Sequence, residues 1–263
     1  MKTIHDFIKA KAERKKITMI STYDYWSAKI CEEAGIDCLL VGDSAGMVVA
    51  GYNSTLPVNI DEMIYHAKAV KRGAPHTFIV VDMPFLTYQI TKEDAVKNAG
   101  RIMKETGANA VKLEGGKEIA DIIKKLVNIG IPVMGHLGLT PQSVHALGGY
   151  KVQGKTEEQK KKIIEDAKIL EEAGVFAIVL EAIPSSLAKE ITEVVEIPTI
   201  GIGAGKDTDG QVLVFHDMLG FFDKSPKFVK RYLEGKKLMV EALKNFKDEV
   251  RNGKFPSEKN IYQ

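Results

Sequence analysis

Ala110-Val111-Lys112-Leu113-Glu114-Gly115-Gly116 opens a stretch that runs through Ile119, Ile122, Ile123, Leu126, Val127 and Gly130 to Pro132-Val133-Met134-Gly135-His136. A short apolar run closes on a charged residue and two glycines. Apolar side chains then recur at helical spacing, the one-sided stripe of a helix that packs on a sheet. A glycine follows, the residue that most easily ends a helix in the left-handed conformation, and a second apolar run begins. Such runs, apolar at successive positions, characterise parallel strands buried on both faces. The stretch therefore predicts strand, helix, strand.

The same unit repeats in both directions. Strands are predicted at Ile17–Ser21, Cys38–Gly42, Thr77–Val81, Ala110–Leu113, Pro132–Gly135, Ala177–Leu180, Pro198–Gly201 and Val212–Phe215. Between them Ile60, Met63, Ile64, Ala67 and Val70 fall on one helical face, as do Leu187, Ala188, Ile191, Val194 and Val195. Asn59-x-x-Glu62 and Thr156-x-x-Gln159 have the form of capping boxes, and Gly35, Gly73, Gly107 and Gly174 stand where helices should stop. About eight such units without a linker suit a single (β/α)8 (TIM) barrel domain over residues 1–263. A doubly wound sheet is the alternative, but it would usually show fewer strands and a phosphate fingerprint after the first. The residues before the first strand predict an extra N-terminal helix, a candidate plug for the barrel bottom. Pro226–Val250 reads as a long helix followed by a loose polar tail.

Composition narrows the function. The 263 residues carry 37 basic and 35 acidic side chains, a formal charge of +2, with both signs interspersed. A nucleic-acid or membrane surface would cluster its Lys and Arg, so neither partner is expected. No apolar leader follows Met1-Lys2-Thr3-Ile4-His5-Asp6, and no run approaches the ~20 apolar residues of a membrane span. A cytoplasmic protein handling small molecules is expected. Cys31 and Cys38 read as reduced, buried thiols, because no second Cys/His pair accompanies them for a zinc site.

The chemistry lies at the end of each apolar run. Strand two ends Val41-Gly42-Asp43-Ser44, strand three Val81-Asp82-Met83-Pro84, strand five Gly135-His136-Leu137-Gly138 and strand six Leu180-Glu181-Ala182. In a barrel these ends share the face that carries active sites. Asp43, Asp82 and Glu114 would then meet. Three neighbouring carboxylates repel unless a cation neutralises them or some are protonated, and Mg²⁺ suits oxygen donors. A lone Asp after a strand is more often a helix cap, but Glu caps poorly, and Glu114 and Glu181 each sit inside an apolar run. Lys112 could form a Schiff base or act as a fixed positive charge. Carboxylates nearby would keep it protonated, which favours the fixed charge. His136 reads equally well as a substrate contact or as a supporting residue. Gly201-Ile202-Gly203-Ala204-Gly205-Lys206 departs from the phosphate-loop pattern and reads as a tight strand-end loop. Tyr23-Asp24 reads as a helix cap. Gly148–Gly154 reads as a lid or as a surface or subunit-contact loop.

With those segments in view, the chain resembles the ketopantoate (3-methyl-2-oxobutanoate) hydroxymethyltransferase family. The matching runs are Thr22–Tyr25, Val41–Ser44, Ser54–Val58, Lys71–Pro75, Val111–Gly116, Gly135–Ser143, Gly148–Gly154 and Gly201–Gly205, in order along most of the chain. After Phe221 the match is loose. The resemblance implies a barrel of the phosphoenolpyruvate/pyruvate-handling kind. It also implies transfer of a hydroxymethyl group from 5,10-methylenetetrahydrofolate to 3-methyl-2-oxobutanoate, the first committed step toward pantothenate. It assigns Mg²⁺ to Asp43, Asp82 and, directly or through water, Glu114, and keto-acid contacts to Asp43, Ser44, Asp82 and Lys112, to which the strand-end reading adds His136 as a candidate. Glu181 is implied as the general base and a homo-oligomer, often a decamer, as the assembly. Another metal-dependent 2-oxo-acid lyase or aldolase on the same barrel is the alternative.

Overall fold

Residues 2–262 are described by a computed structural model. Eight parallel strands hydrogen-bond in sequence order and close, β8 pairing β1. They are β1 (Ile17–Ser21), β2 (Cys38–Val41), β3 (Phe78–Asp82), β4 (Ala110–Glu114), β5 (Val133–Gly138), β6 (Ala177–Glu181), β7 (Thr199–Ile202) and β8 (Gly210–Val214). Each predicted strand is present, and closure removes the doubly wound alternative. The helices are α1 (Ile4–Ala12), α2 (Tyr25–Glu33), α3 (Ala45–Val48), α4 (Ile60–Gly73), α5 (Lys92–Thr106), α6 (Ala120–Asn128), α7 (Glu157–Ala173), α8 (Ser185–Val194), α9 (Phe215–Met218) and α10 (Gly235–Arg251).

Local chemistry explains the boundaries. Asn59 and Thr156 cap α4 and α7 with the reciprocal Glu62 and Gln159 bonds of a capping box. Asp24 accepts the Ser27 N–H at the start of α2, the cap its position predicts. Gly107 and Gly174 end α5 and α7 at φ 70° and 97°, which costs glycine little and other residues much. The chain after β7 forms the expected strand-end loop, leading into β8 without a helix.

The strand period of two sorts the barrel interior. Ile17 and Met19, Cys38 and Leu40, Phe78 and Val80, Ala110, Met134, Ala177 and Val179 form one buried cluster. Phe7 on α1 joins it at the N-terminal end, its ring 5.0 Å from Phe78 and 5.1 Å from Phe176, both edge-on. The N-terminal helix is therefore a plug. Lys11 fastens it: its Nζ donates to the carbonyls of Thr192, Val195 and Ile197 at 2.7–2.9 Å, and Asp209 lies 3.2 Å away. Those carbonyls lie at and just beyond the end of α8, where the helix dipole favours a cation. Cys31 and Cys38 are buried free thiols, as expected.

The chain divides into two compact units after Val214. In the second, the helix predicted from Pro226 begins only at Gly235. Two interactions hold 226–234 out of a helix. Arg231 donates to the carbonyls of Phe222 and Asp223, and the Tyr232 N–H bonds Met218 O at 2.7 Å. Gly235 then approaches the chain closely, because a Cβ there would stand 2.5 Å from Leu219 O.

Candidate active site

Continuing the inward parity of each strand by one or two steps leads to the polar residues. Phe78 and Val80 are followed by Asp82, Ala110 by Lys112 and Glu114, Met134 by His136, and Ala177 and Val179 by Glu181. Register makes them neighbours, since Asp82 pairs with Lys112 and Glu114 with His136 across the sheet. Asp43 joins from the loop after β2, where its N–H donates to Asp82 Oδ2 at 3.0 Å. Gly42 allows that turn: a Cβ there would meet Ser44 Oγ at 2.8 Å and Ser21 Oγ at 2.9 Å. Asp43, Asp82, Lys112, Glu114 and His136 are all 3–6% exposed. Glu181 is more open, its side chain 16% exposed.

Lys112 sits among the acids. Its Nζ is 2.9 Å from Asp82 Oδ1, 3.9 Å from Glu114 Oε1 and 3.0 Å from His136 Nδ1. Burial works against its charge, but Asp82, Glu114 and Asp43 outweigh burial and hold it protonated well above the usual lysine range. His136 Nε2 lies 3.3 Å from Glu181 Oε2 and Nδ1 3.5 Å from Glu114 Oε1. Burial and Lys112 lower its proton affinity, and the Glu114 and Glu181 carboxylates more than offset them, a net upward shift. An ammonium 3.0 Å from Nδ1 makes a hydrogen bond only if that nitrogen is unprotonated. The geometry therefore assigns the ring proton to Nε2, facing Glu181. The raised value reflects the surplus of carboxylates around the ring.

That surplus is the test of a metal's fit. Burial, then Asp82 and Glu114, push Asp43 well above the ordinary carboxylate value, and burial raises Asp82 even with Lys112 beside it. Asp82 Oδ1, fully buried, has the ion pair with Lys112 but no directional hydrogen bond. Three hard oxygen donors facing one ammonium leave negative charge that a divalent cation would neutralise. Among the described residues no three Asp, Glu, His or Cys side chains are already drawn into a ligand cage. Lys112 holds Asp82, and Gln142 holds Asp43. The residues fit Mg²⁺ by chemistry and charge.

Gln142 has no role that its own residue type suggests, though it stands in the Gly135–Ser143 run. On the short 3₁₀ turn Pro141–Ser143, its Nε2 donates to Asp43 Oδ2 and Met83 O, each at 2.9 Å. Its backbone N–H donates to Glu114 Oε2 at 3.0 Å. Tyr88, fully buried, accepts the Glu114 N–H at 3.0 Å and lies 2.9 Å from Gln142 Oε1. These two residues clamp the acids. Tyr23, placed by the capping motif, is also part of the site, its hydroxyl 2.8 Å from Ser44 Oγ. The Gly148–Gly154 loop reaches the β2 side of the mouth, where the Tyr150 hydroxyl donates to Met47 Sδ at 3.5 Å. Burial, then the Asp43, Glu181 and Glu114 carboxylates, raise the Tyr150 hydroxyl above its ordinary value. Ala182, next to Glu181, has φ 46°, a strained value for a residue with a Cβ.

A closed parallel barrel with buried acids, a lysine and a histidine at the C-terminal mouth defines a (β/α)8-barrel enzyme. Solved structures agree on the fold. Phosphonopyruvate hydrolase in complex with oxalate and Mg²⁺ superposes with a TM-score of 0.65 at 12% identity, covering 99% of this chain and 94% of that one. The phosphoenolpyruvate mutase/isocitrate lyase superfamily member 2,3-dimethylmalate lyase gives 0.62 at 15%, over 100% and 89%. Sequence identifies the family. A profile described as ketopantoate hydroxymethyltransferase matches residues 1–258. The 3-methyl-2-oxobutanoate hydroxymethyltransferase of Aquifex aeolicus is 58% identical, covering 98% of both chains. That of a Geobacillus species is 54% identical, over 100% of this chain and 94% of its own. The chain belongs to the ketopantoate hydroxymethyltransferase family.

Proposed function

We propose that the chain transfers a hydroxymethyl group from 5,10-methylenetetrahydrofolate to 3-methyl-2-oxobutanoate, giving 2-dehydropantoate and tetrahydrofolate on the route to pantothenate. The observation that carries this reading is one buried ammonium among three carboxylates, with a fourth, more open carboxylate across His136. Asp43, Asp82 and Glu114 would hold Mg²⁺, which when bound supplies Lewis-acid stabilisation of charge on the keto oxygen. Lys112 pairs with the substrate carboxylate, and Ser44, oriented by Tyr23, hydrogen-bonds it. Glu181 takes the C3 proton as general base, and the His136 Nε2–H orients its carboxylate. The resulting enolate forms its C–C bond to the donor's methylene carbon as one C–N bond to the folate breaks, the proton taken from C3 going to that nitrogen. Water then replaces the second C–N bond, its hydroxyl going to the product and its proton to the tetrahydrofolate nitrogen.

The test is deuterium exchange at C3 of the keto acid. Glu181→Gln should abolish exchange while divalent-cation binding persists; continued exchange would remove Glu181 from the base role. Omitting the folate should abolish product formation. Carbon–carbon chemistry without it would make the chain a folate-independent 2-oxo-acid lyase or aldolase. Among the described residues no helix is long and apolar enough to cross a membrane. The proposed enzyme is a cytoplasmic homo-oligomer, a decamer, which light scattering would check.

A further inference from the structure

Beside the acids lies a cavity of about 430 Å³, within the size range of small-molecule sites. Glu114 and Gln142 line it, so it shares a wall with the catalytic cluster, while Asp43, Lys112, His136 and Glu181 do not. The β4–α6 and β5–α7 connections and the first turns of α7 enclose it.

Its chemistry differs from that of the cluster. Glu114, Glu118 and Asp166 are the carboxylates on its lining and Lys162 its cation, Gln89, Gln153 and Gln159 carry amides, and Phe85 and Leu147 are apolar. Asp166 is 3% exposed, and Gly116 brings the backbone against it: a Cβ at Gly116 would stand 2.3 Å from the carboxylate carbon. Asp166 accepts the Lys117 N–H at 3.0 Å, and Lys162 pairs with it at 3.4 Å. Glu118 accepts the Gly116 N–H at 2.9 Å. Three carboxylates against one lysine, itself paired with Asp166, disfavour an anion, and with the amides they favour a flat, uncharged ring with an amide-like edge rich in N–H donors. The keto acid is an anion whose countercharge is Lys112. The keto acid and the uncharged ring of the donor therefore separate by charge, one at the ammonium and the other at the acid- and amide-lined cavity.

We propose that this cavity binds the pterin ring of the one-carbon donor, its amino-pyrimidine edge toward Asp166 and the amides. The wall shared through Glu114 and Gln142 then brings the donor beside the keto acid. The inference rests on the folate-dependent reading above.

The test is calorimetric titration of the full-length protein with tetrahydrofolate and, separately, with 3-methyl-2-oxobutanoate plus Mg²⁺. Two variants are compared with the parent. Asp166→Asn retains the shape but weakens acceptance from the ring. Ala146→Trp fills the cavity from an exposed lining position, so it spares the core. Each should weaken tetrahydrofolate binding about tenfold or more, the loss expected for a hydrogen bond to a charged group or for a blocked site. Keto-acid affinity should change less than about twofold. If Asp166→Asn is poorly folded by circular dichroism, Ala146→Trp decides alone. Undiminished tetrahydrofolate binding in a folded Ala146→Trp protein would overturn the cavity assignment and leave the folate reading standing. A parent protein that neither binds tetrahydrofolate nor needs a folate for product formation would overturn both.

Discussion

Replacing Lys112 with methionine removes the one ammonium among the carboxylates of Asp43, Asp82 and Glu114. Its contacts at 2.9 Å to Asp82 and 3.9 Å to Glu114 amount to roughly 6 and 4 kcal/mol of gross attraction at an effective dielectric constant of about 20. Much of this is offset by the several kcal/mol each ion loses on leaving water. Removing one partner leaves the others buried and uncompensated, which costs about 3–5 kcal/mol. His136, whose Nδ1 faces the Lys112 ammonium in the parent, loses that repulsion in the variant and, held between Glu114 and Glu181, carries a proton that replaces part of the charge. The loss should therefore fall near the lower end, about 3 kcal/mol.

The pH dependence has a definite sign. Asp43 and Asp82 are raised above their ordinary value of 3.8. A carboxylate raised in the folded state contributes stability below its unfolded value and loses it as pH rises through the folded one. Without Lys112 both acids rise further. The variant should therefore fall further behind the parent as pH increases from about 4 toward the alkaline side. Urea denaturation of the two proteins in chelator, at a series of pH values, measures the difference. Added Mg²⁺ should restore part of the loss. A deficit below about 1 kcal/mol, the size of an ordinary substitution, or one that shrinks as pH rises, would refute the charge balance.

Phe7→Ala should cost about 3–5 kcal/mol in urea denaturation, the range for a buried aromatic, because its ring fills the bottom of the barrel against Phe78 and Phe176. Lys11→Met should lower stability by about 1–3 kcal/mol by orphaning carbonyls around the end of α8; an unchanged midpoint would mean that water replaces the ammonium. Gln142→Leu should cut kcat about tenfold or more in a protein folded by circular dichroism, since Asp43 and Met83 O lose their shared donor. Parent-like kcat would show that the clamp is dispensable. Burial raises the Cys31 thiol to about 11 and the Cys38 thiol higher still. An aromatic disulfide reagent near neutral pH should therefore label neither in the native protein and both in denaturant.

The strand runs, the helix stripes and the capping residues Asn59, Thr156 and Asp24 were legible because each depends on neighbours within a turn or a strand. The charged strand ends were legible for a related reason. Once eight parallel strands close, the period of two that aims Phe78 and Val80 inward also aims Asp82 inward. Closure alone decided the rest. Gln142 reaches Asp43 across 99 residues, and no local pattern marks a glutamine that will bridge two loops. Tyr88, Tyr150 and the cavity beside Glu114 likewise arise where separate strand–helix connections meet. The 226–234 segment has helical spacing, yet Arg231 and the Tyr232 N–H find carbonyl partners earlier in the chain. Periodicity determines which face of an element is apolar. Which polar groups end up within hydrogen-bond reach depends on how the ends of separate elements are brought together.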